Sequence, residues 1–485
     1  MRLQVVIHYA SFLLMGLGLC MFLPLCFSLH YGEDDTFAFL ISMLISFGTG
    51  FILFLFTRKS RGIAISRRES LAVVTLVYIL ASLFGALPYQ LAGTFSNFLD
   101  CFFEAASGFT TTGATVLTSI ESEPHGILLW RNLTQWLGGM GIVVLFVALF
   151  PLLGMGTAYL FDAEAPGSEI QRLRTHVRHT SQIIWLIYGF LTAVEVLLLE
   201  TVGGLPFFDS LCHTFSTVSI GGFSPNDASI GAYESLSVRI IIICFMFMAG
   251  INFALYYALL WRRSFRPFWE SAEFRIYTIV MIGACTMIAI DLVANASYSI
   301  ANAAEEAAFN GVSINTTTGF AVSDFAQWPA FSRMALLALM VIGACAGSTG
   351  GATKVIRIAV LAKYAYRQVL LAFNPKAVIP LRLGGKVISE KVVSRIIGFT
   401  VLYFAFLAVG TLIMTALEDD FITALSSVVA SVGNVGPGLG AVGPMDNYAS
   451  ISAGGKGVLM ICMLVGRLEI LTVLTLFTPA FWRWR

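Results

Sequence analysis

The chain has 485 residues, of which 57% are hydrophobic and only 12% charged. Soluble domains carry about 25% charged residues, so the composition argues strongly against a cytosolic enzyme, and disordered or collagen-like chains are excluded. The net charge of +1 singles out no partner, and no nucleic-acid partner is expected.

Apolar runs of about 18 residues or more read as bilayer-spanning helices. Forty phenylalanines and a mean hydropathy of +0.83 agree. In chain order the candidate spans are 4–29, 36–57, 70–93, 127–154, 181–203, 237–261, 275–296, 332–361, 394–417 and 455–481. The first begins basic and turns apolar like a secretory signal. Its apolar run is too long for one, so it is expected to be retained as a span. The eight cysteines are scattered, mostly within apolar runs, and form no CxxC or His/Cys cluster. They read as small apolar fillers rather than as zinc ligands or a disulfide framework.

Every second connection is basic. Arg58, Lys59, Arg61, Arg67 and Arg68 follow the second span, and Arg172, Arg174 and Arg178 the fourth. Arg262, Arg263, Arg266 and Arg275 follow the sixth, the run from Lys363 to Arg395 the eighth, and Arg483 and Arg485 end the chain. By the positive-inside rule these loops and both termini are cytoplasmic.

The connections after spans three, five, seven and nine each carry a further apolar stretch: Asn97–Gly108, Pro206–Thr217, Asn302–Ser313 and Asp420–Ser431. These are too short to cross a bilayer and suit re-entrant helices. Pro206 suits a first helical turn and Asp420 an N-cap. Each stretch runs into a Gly- and Ser/Thr-rich segment. The four read Ser-Gly-Phe-Thr-Thr-Thr-Gly-Ala (107–114), Ser-Thr-Val-Ser-Ile-Gly-Gly-Phe (216–223), Ser-Ile-Asn-Thr-Thr-Thr-Gly-Phe (313–320) and Ala-Ser-Val-Gly-Asn-Val-Gly-Pro (430–437). A glycine takes the same place in each: Gly113, Gly222, Gly319 and Gly436, separated by 109, 97 and 117 residues. This is a fourfold internal repeat of span, short helix, glycine loop and span. The boundaries are 1–69 for an extra N-terminal pair of spans, then 70–160, 161–265, 266–380 and 381–485 for the repeats.

Non-helical backbone at membrane depth leaves carbonyls unpaired and is tolerated only where protein or water covers it. Four such loops meeting on one axis could replace the water shell of a cation with carbonyl oxygens. Half-helices ending there would add their negative dipole ends. Hydroxyls of Thr111, Thr112, Thr317, Thr318 and Ser219 could add oxygens or satisfy loop amides. No Asp or Glu lies in the loops, so neutral oxygens favour a large, weakly hydrated monovalent cation over Ca²⁺ or Mg²⁺. One such loop alone would pass for an ordinary tight turn outside the membrane. Four in register, each between two spans, argue otherwise.

Span eight is interrupted by Gly343-Ala-Cys-Ala-Gly347-Ser-Thr-Gly350-Gly351-Ala-Thr353, too glycine-rich for a straight helix. Such a loop below a filter suits a gate, formed by Gly343, Gly347, Ser348, Thr349, Gly350, Gly351 and Thr353. A packing kink is the other reading. It is not a phosphate loop, because the G-x-x-x-x-G-K-[ST] spacing is absent. Arg467 lies within the last span, where a cation is costly and usually faces a cavity or a partner. It is read either as opposing cation passage below the filter or as bonding to loop carbonyls, and both hold together if it ties down the Gly343–Thr353 loop. Lys354 and Arg357 read as the end of span eight or as snorkelling anchors, and Trp482 and Trp484 as anchors.

The segments Ser-Gly-Phe-Thr-Thr-Thr-Gly-Ala, Asn-Thr-Thr-Thr-Gly-Phe, Gly-Asn-Val-Gly-Pro-Gly and Gly-Ser-Thr-Gly-Gly-Ala-Thr-Lys, over nearly the whole chain, resemble the Trk/Ktr/HKT superfamily of potassium transporters, closest to the bacterial Trk H/G subunits. The resemblance implies an all-α integral membrane protein with ten transmembrane helices and four re-entrant pore helices in a pseudo-fourfold arrangement. It implies a K⁺ selectivity filter at Thr111, Thr112, Gly113, Ile220, Gly221, Gly222, Thr317, Thr318, Gly319, Asn434, Val435 and Gly436. It also implies an intramembrane gating loop, an arginine in the last helix, a homodimer, and a cytosolic nucleotide-binding regulatory subunit of the Trk A type docked on the basic face. The expected function is K⁺ uptake, with Rb⁺ also permeating, across a bacterial inner membrane, without an organic cofactor. The second and fourth repeats depart from Thr-Thr-Thr, and neither offers a full Gly-Tyr-Gly. Weaker exclusion of Na⁺ than in a tetrameric potassium channel is therefore expected.

Two rivals remain. A K⁺ symporter coupled to H⁺ or Na⁺ is one, although no buried carboxylate relay stands out. An intramembrane enzyme is the more remote. Of six histidines only His213 lies in a re-entrant stretch, near Asp209, and no nucleophile–base or metal spacing supports chemistry.

Overall fold

The computed structural model describes residues 2–60, 65–141 and 177–483. Arg61, Arg172, Arg174, Trp484, Arg485 and the 142–154 half of the fourth expected span lie outside them.

The described chain is helical apart from one hairpin. Its helices in order are α1 (Leu3–Cys20), α2 (Phe22–Tyr31), α3 (Thr36–Thr57), α4 (Arg67–Gly85), α5 (Leu87–Ala92), α6 (Phe98–Phe109), α7 (His125–Gly139), α8 (Val177–Thr201), α9 (Phe207–Ser219), α10 (Leu236–Ala249), α11 (Phe253–Arg262), α12 (Arg266–Glu270), α13 (Ala272–Asn295), α14 (Ile300–Thr316), α15 (Ala330–Ile342), α16 (Val355–Phe373), α17 (Glu390–Leu417), α18 (Phe421–Gly433), α19 (Ala453–Leu468), α20 (Ile470–Phe477) and α21 (Pro479–Arg483). In the basic segment after α16, Arg382–Leu383 pairs antiparallel with Lys386–Val387.

Among the described residues, six helical stretches are long and apolar enough to cross a bilayer, or eight if two bent pairs are each one span. The protein is thus a multi-pass, all-α membrane protein. The outer stretches keep wide apolar faces open: only 22% of the Thr36–Ser60 span is buried by protein, and Phe37 and Phe56 point outward. Such faces are lipid-facing in a membrane protein. Inside, small residues bring backbones together. A Cβ on Gly50 would stand 2.8 Å from the Met15 amide nitrogen, which is why α1 and α3 lie so close.

Two spans expected to be continuous are bent, and the one expected to be interrupted is broken. The expected 237–261 span bends by 92° between α10 and α11, where Asn252 caps α11 by accepting from the Ala254 amide. The expected 455–481 span bends by 111° between α19 and α20, at Glu469 with φ 61°. The 332–361 span is broken between α15 and α16, as the glycines at 343–351 imply.

The short helices α6, α9, α14 and α18 sit where the apolar stretches were read. Asn97, Ser299 and Asp420 cap three of them through side-chain oxygens, and Pro206 precedes the fourth. Bonds from the Thr423 side chain and from the Thr423 and Ile422 amides hold the Asp420 carboxyl below the usual carboxylate range.

Candidate functional site

Each short helix ends in the same turn. The residue after the last turn is left-handed: Thr111 (φ 54°), Ile220 (55°), Thr317 (67°) and Asn434 (51°). The next amide reaches back to the helix: Thr112 to the Ser107 carbonyl (2.9 Å), Gly221 to Ser216, Thr318 to Ser313 and Val435 to Ala430 (2.8 Å each). The left-handed residue's own amide bonds Gly108, Thr217, Ile314 or Ser431. This double closure is the Schellman motif, normally built on glycine. Here it is built on two threonines, an isoleucine and an asparagine. Left-handed geometry costs an L-residue about 1–2 kcal/mol, so four such residues mark a shape the packing imposes.

Two residues past each of these, the glycine of the repeat is again left-handed: Gly113 (φ 80°), Gly222 (82°), Gly319 (84°) and Gly436 (101°). These four glycines close a ring. A Cβ on Gly113 would overlap the Gly221 carbonyl oxygen, one on Gly222 the Thr318 oxygen, and one on Gly319 the Val435 oxygen. One on Gly436 would lie 2.6 Å from the Thr112 oxygen. The four carbonyls belong to the residues just before the four glycines. Each loop therefore presents the same carbonyl to the next loop, in cyclic order.

Beside the apolar Ile220 and Val435, the side chains around the ring are polar and buried. Thr110 and Thr112 share a hydroxyl bond of 2.8 Å, and so do Thr316 and Thr318. Where the second and fourth repeats lack the third threonine, other groups serve. Asn434 donates to the Thr112 hydroxyl and the Met463 carbonyl (3.0 Å each). Gln135, from α7, donates to the Gly221 carbonyl (2.7 Å) and accepts from the Phe223 amide (3.0 Å). Tyr448 donates to the Gly436 carbonyl (2.7 Å). Ser219 does not join the ring; its hydroxyl donates back to Ser216.

The glycine side of the ring faces a cavity of about 260 Å³, lined by Gly113, Gly222, Gly319, Pro437, Asp227 and Asp446. The opposite side is covered by the 343–354 segment. The Gly351 amide donates to the Thr317 hydroxyl (3.0 Å), and a Cβ on Gly351 would strike the Gly433 carbonyl. Ala346 is held by Glu273 (2.6 Å), Cys345 by the Gly250 carbonyl, and the Gly347 carbonyl by the Phe253 amide. The segment therefore rests on the bend between α10 and α11. Gly343 and Thr353 form its neck, the Thr353 hydroxyl capping Val341 (2.6 Å), and Ser348 bonds within the segment to Cys345.

Arg467 joins ring and segment. Its guanidinium donates to the Thr349 carbonyl (2.8 Å), the Thr111 hydroxyl (3.1 Å) and the carbonyls of Gly138 (2.5 Å) and Gly139 (2.8 Å) at the end of α7. Lys354 donates to the Gly350 carbonyl. Arg357 pairs with Glu469 (2.5 Å) and lies 4.1 Å from the centre of the Phe399 ring. Both basic side chains are thus engaged within the protein rather than anchored among headgroups. His213 bonds the Tyr233 hydroxyl (3.1 Å), a structural contact. No group of three or more potential metal-ligating side chains occurs among the described residues.

Sequence reading missed Arg131, Gln135, Glu104 and Tyr448. A signal for two of them was present: Arg131, Asn132 and Gln135 are polar within an otherwise apolar span, and intramembrane polar residues usually have a task.

A membrane-embedded ring of backbone carbonyls fits cation transport, and a family model described as "Cation transport protein" (TrkH) matches residues 36–483. The chain belongs to this TrkH family of cation transport proteins. It is 39% identical over 468 residues to the Trk system potassium uptake protein TrkH of Salmonella typhimurium, across 96% of each chain. It is 32% identical over 484 residues to the Trk system potassium uptake protein TrkG of Escherichia coli, across 99% of each. The crystal structure of the potassium transporter TrkH from Vibrio parahaemolyticus matches over 100% of both chains, with a TM-score of 0.89 and 34% identity.

Proposed function

We propose that this protein takes up K⁺ across a bacterial inner membrane through a gated, channel-like pore on the axis of the four loops. The cyclic set of carbonyls at Thr112, Gly221, Thr318 and Val435 supports this reading most directly. Neutral oxygens suit a large monovalent ion, whose dehydration they offset. Rb⁺ would follow the same path. The transported ion is a substrate, and family membership places the chain among transporters rather than enzymes. The filter comprises Thr111–Gly113, Ile220–Gly222, Thr317–Gly319 and Asn434–Gly436. The Gly343–Thr353 loop with Arg467 is the gate: the guanidinium puts a positive charge beneath the ring and its bonds hold the loop closed.

In this reading the chain has ten transmembrane helices and four pore helices, α6, α9, α14 and α18. The N-terminal pair of spans (1–69) precedes repeats at 70–160, 161–265, 266–380 and 381–485. Both termini lie in the cytoplasm. Two chains form a homodimer, and a cytosolic nucleotide-binding subunit of the Trk A type docks on the basic face that includes Lys363–Arg395. The distribution of Lys and Arg and the four-repeat pattern support this arrangement.

The test is ⁸⁶Rb⁺ uptake into sealed proteoliposomes with K⁺ or Na⁺ as competitor. The native chain is expected to take up Rb⁺, with K⁺ competing better than Na⁺. Gly113→Ser weakens that preference, and deletion of 347–351 raises flux. Silence of a folded, loop-deleted protein under a K⁺ gradient would sink the pore reading.

A further inference from the structure

Behind the first two loops lies an ion pair that the filter and gate do not use. Arg131 on α7 is 1% exposed and Glu104 on α6 is fully buried. The Arg131 Nε donates to Glu104 at 2.8 Å. Its other nitrogens reach the Ser224 carbonyl and the Thr115 hydroxyl, both at 3.2 Å. Glu104 accepts from the Thr115 hydroxyl (2.9 Å) and the Val116 amide (3.0 Å). The guanidinium carbon lies 4.4 Å from the centre of the Phe223 ring. Thr115 is two residues past Gly113, and Ser224 is two past Gly222. One buried cation thus grips the segments that leave two adjacent loops. Arg131 also lines the cavity on the glycine side of the ring.

The other two loops are held at this level by neutral groups. Ser313 donates to the Phe320 carbonyl (2.6 Å), and Asn310 holds Ser323 (3.1 Å). Ser426 bonds both the amide and the carbonyl of Leu439, and Tyr448 holds Gly436. A serine or an amide fixes one loop at a time. A guanidinium with a planar fork of donors fixes two at once. Its charge stands beside a cation path, so it needs a counter-charge, which Glu104 supplies.

We propose that Arg131 and Glu104 are positioning residues for ion selection: a mutually neutralised buried pair that locks the first and second loops in register. The pair sets K⁺ over Na⁺ preference through loop spacing, and Glu104 removes the barrier the guanidinium would otherwise raise. This inference rests on the filter reading above.

The pair makes two separable predictions. Glu104→Gln leaves the guanidinium uncompensated beside the cavity and raises the KM for Rb⁺ roughly tenfold. That is the effect of one unit charge at about 10 Å through an effective dielectric near 20. Arg131→Gln does not raise KM. The double variant Glu104→Gln/Arg131→Gln returns KM to the native value. Preference for K⁺ over Na⁺ falls in all three, because the loops are untied. A merely structural pair would shift KM the same way in both single variants. Thr115→Val keeps both charges and removes the hydroxyl they share, so it tests the tie if a charge variant fails to fold. It is expected to lower preference with KM unchanged.

The experiment measures ⁸⁶Rb⁺ uptake kinetics in proteoliposomes for the native chain and these variants, with K⁺ and Na⁺ competition. A KM raised by Glu104→Gln and not by Arg131→Gln, its recovery in the double variant and lowered preference support the inference. A native chain that prefers K⁺, beside folded Thr115→Val and double variants with unchanged preference, overturns it alone. A native chain that conducts Rb⁺ without preferring K⁺ overturns the filter reading and this inference with it.

Discussion

The ring and the layer beneath it are built on opposite plans. The ring uses one device four times: a Schellman closure on a non-glycine residue, a carbonyl, and a left-handed glycine. The layer beneath uses unlike parts once each: a glycine-rich segment, a guanidinium with four acceptors, and one ion pair at a bend. Repetition gives equivalent oxygens around an axis, which is what coordination of a spherical ion needs. A gate, the role proposed above for the layer beneath, needs the reverse, since an element that moves cannot be held equally from four sides. The ring is closed by the same backbone bonds four times over, whereas the segment beneath is held by a mixed set: backbone bonds from Cys345 and Gly347 to the α10–α11 bend, and side-chain bonds from Glu273 and Arg467.

The largest effect should come from adding a side chain to the ring. Gly319→Ala places a methyl on the Val435 carbonyl at φ 84°. A strained backbone of this kind costs about 1–3 kcal/mol, and the cost falls on one carbonyl oxygen of the proposed filter. Preference for K⁺ over Na⁺ is expected to fall by up to about a hundredfold, read as the ratio of half-inhibiting Na⁺ to K⁺ in ⁸⁶Rb⁺ uptake. An unchanged ratio would mean that the ring is not the selecting element.

Arg467→Ala should act on the other layer. It removes the charge beneath the ring and the bonds to Thr349, Thr111, Gly138 and Gly139. Unregulated Rb⁺ flux is expected to rise about tenfold, the equivalent of one charge-assisted hydrogen bond lost from the closed state, while the K⁺/Na⁺ ratio stays near native. A fall in that ratio without higher flux would place Arg467 in the ring's support instead.

Gln135→Leu separates support from ring. It leaves the Gly221 carbonyl and the Phe223 amide without their partner, at a cost of about 1–3 kcal/mol each. A lower melting temperature in detergent is expected, together with weaker K⁺ preference. A stable protein with native preference would show that water replaces the amide.

What the sequence revealed follows the same division. The four glycines at 113, 222, 319 and 436 were legible because self-similarity survives even where Thr-Thr-Thr does not. The break after Ile342 was legible from glycine content. The bends at Gly250–Asn252 and Glu469 were not, because a single Gly or an acidic residue in an apolar run carries no unique signal. The Schellman closures were hidden because their usual glycine is replaced by Thr111, Ile220, Thr317 and Asn434, residues that only surrounding packing forces left-handed. Arg467 stood out as a charge in a span, and its acceptors, scattered from Thr111 to Thr349, did not. Arg131 is likewise a charge within an expected span, but no repeat motif points to it.

The smallest effect should be at Arg357 and Glu469. Their side chains are 14% and 22% exposed, and the pair spans from α16 to the α19–α20 bend. Glu469 has a φ of 61° there, which no glycine eases, and the ion pair ties this bend to α16, which follows the 343–354 segment. Glu469→Gln and Arg357→Gln should each lower thermal stability slightly, and a double-variant cycle should return a coupling of about 1 kcal/mol. Flux should rise by less than in Arg467→Ala, because the loop keeps its contacts to Thr317 and Thr111 remains tied by Arg467. Zero coupling would make the bend a product of packing alone. Flux equal to that of Arg467→Ala would make the pair, and not the guanidinium under the ring, the principal latch.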